Sequence, residues 1–350
     1  MALSEIYVDP SIAADSGTGT IGDPFGDLEY AIEQTTFDTT NGTRVNIKAG
    51  TAEVLAANLA TAMADTVTTV AWAPTSAAPC VFQGYTAVAG DGGIGEISGG
   101  GSVPIIENAT QSDVHLKDLK LGNVGANHVI RLDNFCSLVR CEIHTNTGSG
   151  LNAVLMDNYN EIMECYFHDC EDPAGNVINT NTICVIAYNY FINNDVTSGT
   201  IVDADGSRVE NNIIVITEAD NSGIVALNNG SIRNNSIYNS TGAGTGAGIK
   251  TNDTTHQGVI EGNLVEGFAG AGGVGIEYTN DVVFHSRGNS VYNCTTAYST
   301  GSGAELLIDE DNETLTASPF TDAANGDFDP VDTGNVREGS LPNVIGGGFV

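Results

Sequence analysis

The sequence predicts an all-β fold, a right-handed single-stranded parallel β-helix with an N-terminal capping helix. Three observations lead there. Glycine occupies 43 of 350 positions, and Asn, Asp, Ser and Thr abound, a turn-rich composition unsuited to a helical protein. Apolar residues alternate in short runs at period two, with little helical spacing. Most telling, one frame of anchor and flanking apolar residues recurs along most of the chain.

The frame is clearest in "SIRNNSIYN", residues 231–239, where two asparagines interrupt a strand-like run. With Asn235 as anchor, Ile232 stands three before it and Ile237 two after it. The same pattern reads Leu138/Cys141/Ile143, Ile162/Cys165/Phe167, Ile186/Asn189/Phe191, Val209/Asn212/Ile214, Ile260/Asn263/Val265 and, less cleanly, Ser286/Asn289/Val291. Leu116/Leu119/Leu121 reads as an earlier winding, and successive anchors lie 22 to 28 residues apart. A second column of Asp or Asn precedes most anchors: Asp133, Asp157, Asn181, Asp205, Asn228, Asp253 and Asn280. These end a preceding strand and predict a bend there, since both residue types tolerate positive φ.

Each winding therefore holds three short strands and a bend. Such a unit cannot bury its own Val, Ile, Leu and Phe, but stacked copies can. Equivalent side chains then lie about 4.8 Å apart along the stack. Asn189, Asn212, Asn235, Asn263 and Asn289 are expected to form an amide ladder, with the thiols of Cys141 and Cys165 occupying the same inward file. Seven cysteines without a CxxC pair do not suggest a disulfide framework or a metal cluster.

The ends depart from the repeat. Residues 1–40 read as a cap, with Phe25, Leu28, Ala31 and Ile32 of "FGDLEYAIEQ" at helical spacing. Residues 41–308 carry the coil, and 309–350, with "SPFTDAANGDFDP", form a C-terminal cap or tail of one continuous domain. The opening "YVDP…DSGTGTIGDPFGDLEYAI", then "VNIKAGT" and the repeated "xxNxI" rungs, resembles the pectate-lyase-like superfamily of right-handed parallel β-helix proteins, and "QGYTAVAGDGG" and "SPFTDAANGDFDP" resemble segments of such proteins from phages and environmental bacteria. That resemblance covers nearly the whole chain. It implies the fold, and a function among polysaccharide lyases and hydrolases, phage tailspikes and viral shell proteins.

Charge narrows the partners. Eleven Lys and Arg against 44 Asp and Glu give a net charge of −33, which repels nucleic acid. No apolar run suits membrane insertion, and "MALSEIYVDP" has no secretory pattern, so synthesis in a host cytoplasm is expected, with an extracellular site as the alternative.

Chemistry is sparse. Asp203 and Asp205 in "IVDADG" share one strand face and form the best carboxylate pair, with Lys250 of "GIKTND" about two coils on. These faintly resemble the acidic and basic elements of polygalacturonases, yet no "GHG" follows and Gly248 replaces the arginine. The outward column is expected to read Arg131, Leu155, Asn179, Asp203, Ala226, Lys250 and Glu277. His144 and His168 take equivalent places in neighbouring windings, beside Asp169, as weak metal candidates that also read as plain surface residues. No cofactor is expected, although the many Asp and Asn turns leave room for Ca²⁺. With no converged site and a single Trp72, the expectation is a non-enzymatic phage virion protein: a capsid decoration or cement protein, a tail component or a tailspike-like adhesin. A homotrimer touching other virion proteins or a host-surface glycan is expected with it. The alternative is a polysaccharide-degrading or polysaccharide-binding protein, either a glycoside hydrolase or a lyase.

Overall fold

The computed structural model describes residues 2–57, 59, 63, 72–101, 103–107, 112–125, 128–146, 152–172, 175–196, 199–228, 230–252, 258–279, 283–301 and 305–331. The chain falls into two compact units, residues 1–166 and 167–350. Each is a stack of three-stranded coils with the topology of a right-handed parallel β-helix.

In the first unit, one sheet stacks Ser4–Val8, Thr43–Lys48, Cys80–Tyr85, Val114–Lys117, Ser137–Val139 and Glu161–Met163, every neighbouring pair parallel. A second holds Ala52–Leu55, Gly95–Gly101, Leu119–Val124 and Glu142–Asn146. A third holds Ile106–Glu107, Ile130–Leu132 and Val154–Met156. The register puts Leu116, Leu138 and Ile162 in one buried file, and Ile130 and Val154 in another. Helix Leu28–Gln34 begins where Asp27 Oδ1 accepts the Tyr30 N–H at 2.7 Å, and it buries Leu28, Ala31 and Ile32. The helix is present where the spacing places it, packed against Ser4–Val8 and Ala52–Leu55, without confirming its role as a cap.

In the second unit the first sheet runs Val185–Ala187, Arg208–Glu210, Ser231–Arg233, Gly258–Glu261, Val283–Arg287 and Glu305–Glu310. The second runs Tyr190–Ile192, Ile213–Ile216, Ser236–Asn239, Leu264–Glu266, Ser290–Tyr292 and Glu313–Thr314. The third runs Ile178–Thr180, Thr200–Asp205, Ser222–Leu227, Ala247–Asn252, Val274–Thr279 and Thr296–Thr300. The inward files are nearly all β-branched: Ile186, Val209, Ile232 and Ile260 in the first sheet, Val202, Ile224, Ile249 and Ile276 in the third, all buried. Each such side chain contributes about 1.5–3 kcal/mol by leaving water.

The doubled asparagine of "NN" now has a physical account. Asn234 takes φ +52°, turning the chain between the first and second sheets, as Asn211 does at +57° and Gly262 at +67°. Asn235 points inward and is fully buried. Its Nδ2 donates to Asn263 Oδ1 at 3.0 Å and to the Val209 carbonyl at 3.0 Å, while its Oδ1 accepts from Asn212 Nδ2 at 2.9 Å and the Asn212 backbone N–H at 3.0 Å. Asn189 joins at one end and Asn289 at the other, and Asn312, which the sequence frame stops short of, extends the file. In the first unit, Cys165 Sγ takes the acceptor place, receiving the Cys141 N–H at 3.4 Å. At Ser286 the apolar position carries a hydroxyl, satisfied by Tyr278 Oη at 2.5 Å.

The bend column is only partly as expected. Asn228 adopts φ +46°, but at Asp133, Asp157 and Asn181 the left-handed turn falls two residues later, on Phe135 (+59°), Tyr159 (+61°) and Ile183 (+60°). After Asp205 it falls on Gly206. In these four coils the left-handed residue stands two positions before the next strand. Asp253 and Asn280 lie outside the described residues.

Beyond the last coil, Phe320–Asp322 and Asp327–Pro330 pair antiparallel. Phe320 and Phe328 pack with Val215 and Leu264, and against Tyr190, Ile213 and Tyr238, so this hairpin lies on outward side chains of the second sheet. None of the seven cysteines forms a disulfide.

Candidate functional site

Strand Thr200–Asp205 alternates so that Ile201, Val202 and Ala204 are buried while Asp203 and Asp205 share the outer face. Two residues along a strand set their Cα atoms ~6.5 Å apart. Asp203 is half-buried. Its Oδ2 accepts from Asn176 Nδ2 at 3.2 Å and Asn179 Nδ2 at 3.5 Å, and Asn179 sits directly beside it in register. Its Oδ1 is buried with no hydrogen-bond partner among the described residues. Burial, then the charge of Asp205, pushes the Asp203 carboxyl above its ordinary value, against a smaller downward pull from Asn176. Asp205 is held differently, accepting from Asn228 Nδ2 at 2.6 Å while its backbone N–H donates to Thr180 Oγ1 at 3.0 Å.

Two carboxylates in unequal environments, one protonation-prone and one fixed by an amide, can divide acid and base roles. The polar neighbours come from Asn176, Asn179 and Asn228, of which only Asn179 stands in the outward column read from the sequence. Asn176 precedes its strand, and no periodic signal marks it.

That column needs one correction. Asp203 registers with Val225, and Val225 with Lys250. Ala226 instead pairs with Ala204 and Thr251 and points inward, 2% exposed. The frame slips by one residue here, which in a strand exchanges the two faces. Lys250 therefore stands two strands from Asp203 with an apolar residue between, and its Nζ pairs with Glu277 at 2.9 Å. It does not converge on the carboxylates.

The histidines are also unlike a surface pair. His144 is buried, 7% exposed, over Gly122, where an added Cβ would come within 2.4 Å of the His144 carbonyl and 2.7 Å of its Nε2. His168 Nδ1 contacts Asp169 Oδ2 at 2.7 Å. Among the described residues no group of three His, Cys, Asp or Glu side chains is arranged to hold a metal ion. The thiols of Cys141 and Cys165 are buried, and burial raises Cys165 far above a reactive range. Among the described residues no helix is long and apolar enough to cross a membrane.

No family model matches the sequence. No curated protein matches it. Among solved structures, a glycoside hydrolase superposes with a TM-score of 0.56 at 9% identity, covering 92% of this chain and 98% of that one. A rhamnogalacturonan lyase gives 0.45 at 14% identity, covering 96% and 97%. A GH136 lacto-N-biosidase from Eubacterium ramulus gives 0.46 at 13%, covering 89% and 68%. The glycoside hydrolase likeness shows the fold alone, a parallel β-helix. The likeness to a glycoside hydrolase over 92% of this chain runs against the expectation of a non-enzymatic phage structural protein and favours its alternative.

Proposed function

We propose that this chain acts on a polysaccharide, hydrolysing a glycosidic bond at the Asp203–Asp205 pair. The observation that carries the reading is Asp203 itself: a half-buried carboxyl whose Oδ1 has no hydrogen-bond partner among the described residues, on the strand face that also carries Asp205. An unsatisfied buried oxygen costs stability, so its retention is understandable where a substrate oxygen completes the bonding. Asp203, biased toward its protonated form, serves as general acid to the leaving-group oxygen. Asp205, oriented by Asn228, serves as base toward water. A Cα spacing of ~6.5 Å lies near the lower bound of the carboxyl separations used by inverting enzymes, about 6.5–9.5 Å.

Hydrolysis is favoured over elimination because lyase chemistry needs a cation against the developing enolate. Lys250 is committed to Glu277 and separated from Asp203 by Val225. The net charge of −33 also disfavours an anionic polymer, so a neutral glycan is the substrate class.

The test is reducing-end release from a panel of neutral and uronate polysaccharides by the wild-type chain and by Asp203→Asn and Asp205→Asn. Release from a neutral glycan, lost in both variants with folding intact, supports the assignment. Release that survives Asp203→Asn overturns it, as does inactivity across the panel.

A further inference from the structure

We infer that the first unit carries a separate binding site for a neutral saccharide, built on the ring face of Phe135. The register of the first sheet aligns Asp113, Phe135 and Tyr159, one per coil, at the same outer corner, each with φ near +60°. Phe135 and Tyr159 stack with centroids 5.0 Å apart and planes 6° from parallel, and each residue is about half exposed (53% and 49%).

One face of Phe135 is therefore covered by Tyr159. One coil earlier the file carries no ring, because Asp113 stands there. The space left is a cavity of about 390 Å³ lined by Phe135, Asp113, Ser112 and the loop residues Pro74, Thr75 and Ser76. That loop is braced by paired backbone hydrogen bonds between Thr75 and Ala78, at 3.1 and 2.9 Å. Asp113 is itself 8% exposed and anchored through its carbonyl, which accepts the Cys80 N–H at 3.1 Å.

The lining has the chemistry of a sugar and of little else. An aromatic face accepts the C–H side of a pyranose, whose hydrogens meet the negative π cloud. Three hydroxyl side chains and a carboxylate around it offer hydrogen-bond partners to a ring of hydroxyl groups. No basic residue lines the cavity, so a phosphate or uronate is not favoured. The volume falls within the range of small-molecule pockets. Aromatic residues in the left-handed region are uncommon, and holding Phe135 and Tyr159 there orients both rings outward at the expense of backbone strain.

This site does not depend on the Asp203 chemistry, and binding measured without turnover separates the two. Cellohexaose, xylohexaose and mannohexaose would be titrated by calorimetry and by saturation-transfer NMR into the full chain carrying Asp203→Asn. At least one is expected to bind, with affinity falling about tenfold on adding Phe135→Ala. Ser76→Trp, which fills the cavity from an exposed loop position, is expected to abolish the same binding with the melting temperature unchanged. Absence of binding by all three sugars overturns the inference, and so does binding that both Phe135→Ala and Ser76→Trp leave intact.

Discussion

Asn235 and Asn263 lie 28 residues apart in sequence, and their buried side-chain amides meet at 3.0 Å. Asn212, Asn235, Asn263 and Asn289 each spend Nδ2 on a neighbour's Oδ1 and on a backbone carbonyl, and spend Oδ1 on the preceding coil. The ladder thus satisfies the polar turns that the coil would otherwise bury bare. Asn235→Leu preserves the volume but orphans the Asn212 backbone N–H and one proton of Asn212 Nδ2, and takes one donor from the Val209 carbonyl. At about 1–3 kcal/mol for each buried unsatisfied group, a loss of about 3–5 kcal/mol is expected, read as a lower denaturant midpoint. The same change at exposed Arg233 should alter it by less than about 0.5 kcal/mol. Equal effects at the two positions would remove the ladder from the account of stability.

The ladder was legible because it repeats. Asn189 through Asn289 and the paired Cys141 and Cys165 are visible as a column at near-constant spacing, and a parallel stack converts such a column into contacts. Features used only once or twice were hidden. Cys136 and Asn160 form a second inward pair, the Cys136 N–H donating to Asn160 Oδ1 at 2.7 Å, and Cys170 and Asn194 a third at 3.1 Å. Each is too short a series to stand out from a chain rich in Asn. The assignment of Ala226 to the outward column failed for a related reason: neighbouring Val225 and Ala226 are both apolar, so alternation alone cannot say that Ala226 is the one that faces in.

A pH effect is expected at Glu53, 4% exposed within strand Ala52–Leu55. Burial, then the charges of Asp27 and Glu29, pushes its carboxyl up to about 7, with the Leu28 N–H pulling the other way. A raised folded-state pKa favours the protonated form. Its contribution is fully present below the unfolded value of 4.5 and is lost as pH rises through about 7. Glu53→Gln is therefore expected to flatten the stability profile between those limits and to gain up to about 3 kcal/mol relative to wild type above neutrality. Parallel profiles for the two proteins in urea melts from pH 4 to 8 would show that Glu53 is charged throughout.

The C-terminal hairpin makes a different prediction. Phe328 is 5% exposed, edge-on to Phe320 at 5.7 Å and within 6.0 Å of Tyr238. Phe328→Ala should cost about 3–4 kcal/mol, because a large cavity opens in a small cluster. The loss falls first on the docking of the hairpin, while the amide ladder beneath remains intact. Hydrogen exchange should then speed up in 320–330 and at Tyr190 and Tyr238, leaving the Asn212, Asn235 and Asn263 amides protected. Uniform acceleration across all of these would mean that hairpin and coil unfold together.

The carboxylate pair was legible in part. Spacing placed Asp203 and Asp205 on one face, but neither the burial of Asp203 nor its amide partner Asn176 is written in a periodic position. Those features set the last prediction. Because burial and Asp205 raise the Asp203 pKa, its charged form carries a desolvation and repulsion cost in the folded protein. Asp203→Asn removes that cost and should raise the melting temperature by about 1–3 °C, while lowering turnover by about 10²–10⁴-fold. In the wild type, glycan hydrolysis should fall as pH climbs through the raised value, since the acid must hold its proton to deliver it. Asp205→Asn should instead lose activity with a smaller gain in melting temperature, because it relieves the repulsion but leaves the burial of the Asp203 carboxyl in place. Were Asp203→Asn to melt lower than wild type, Asp203 would be a stabilising member of the Asn176 and Asn179 cluster and not a residue held at a cost for chemistry.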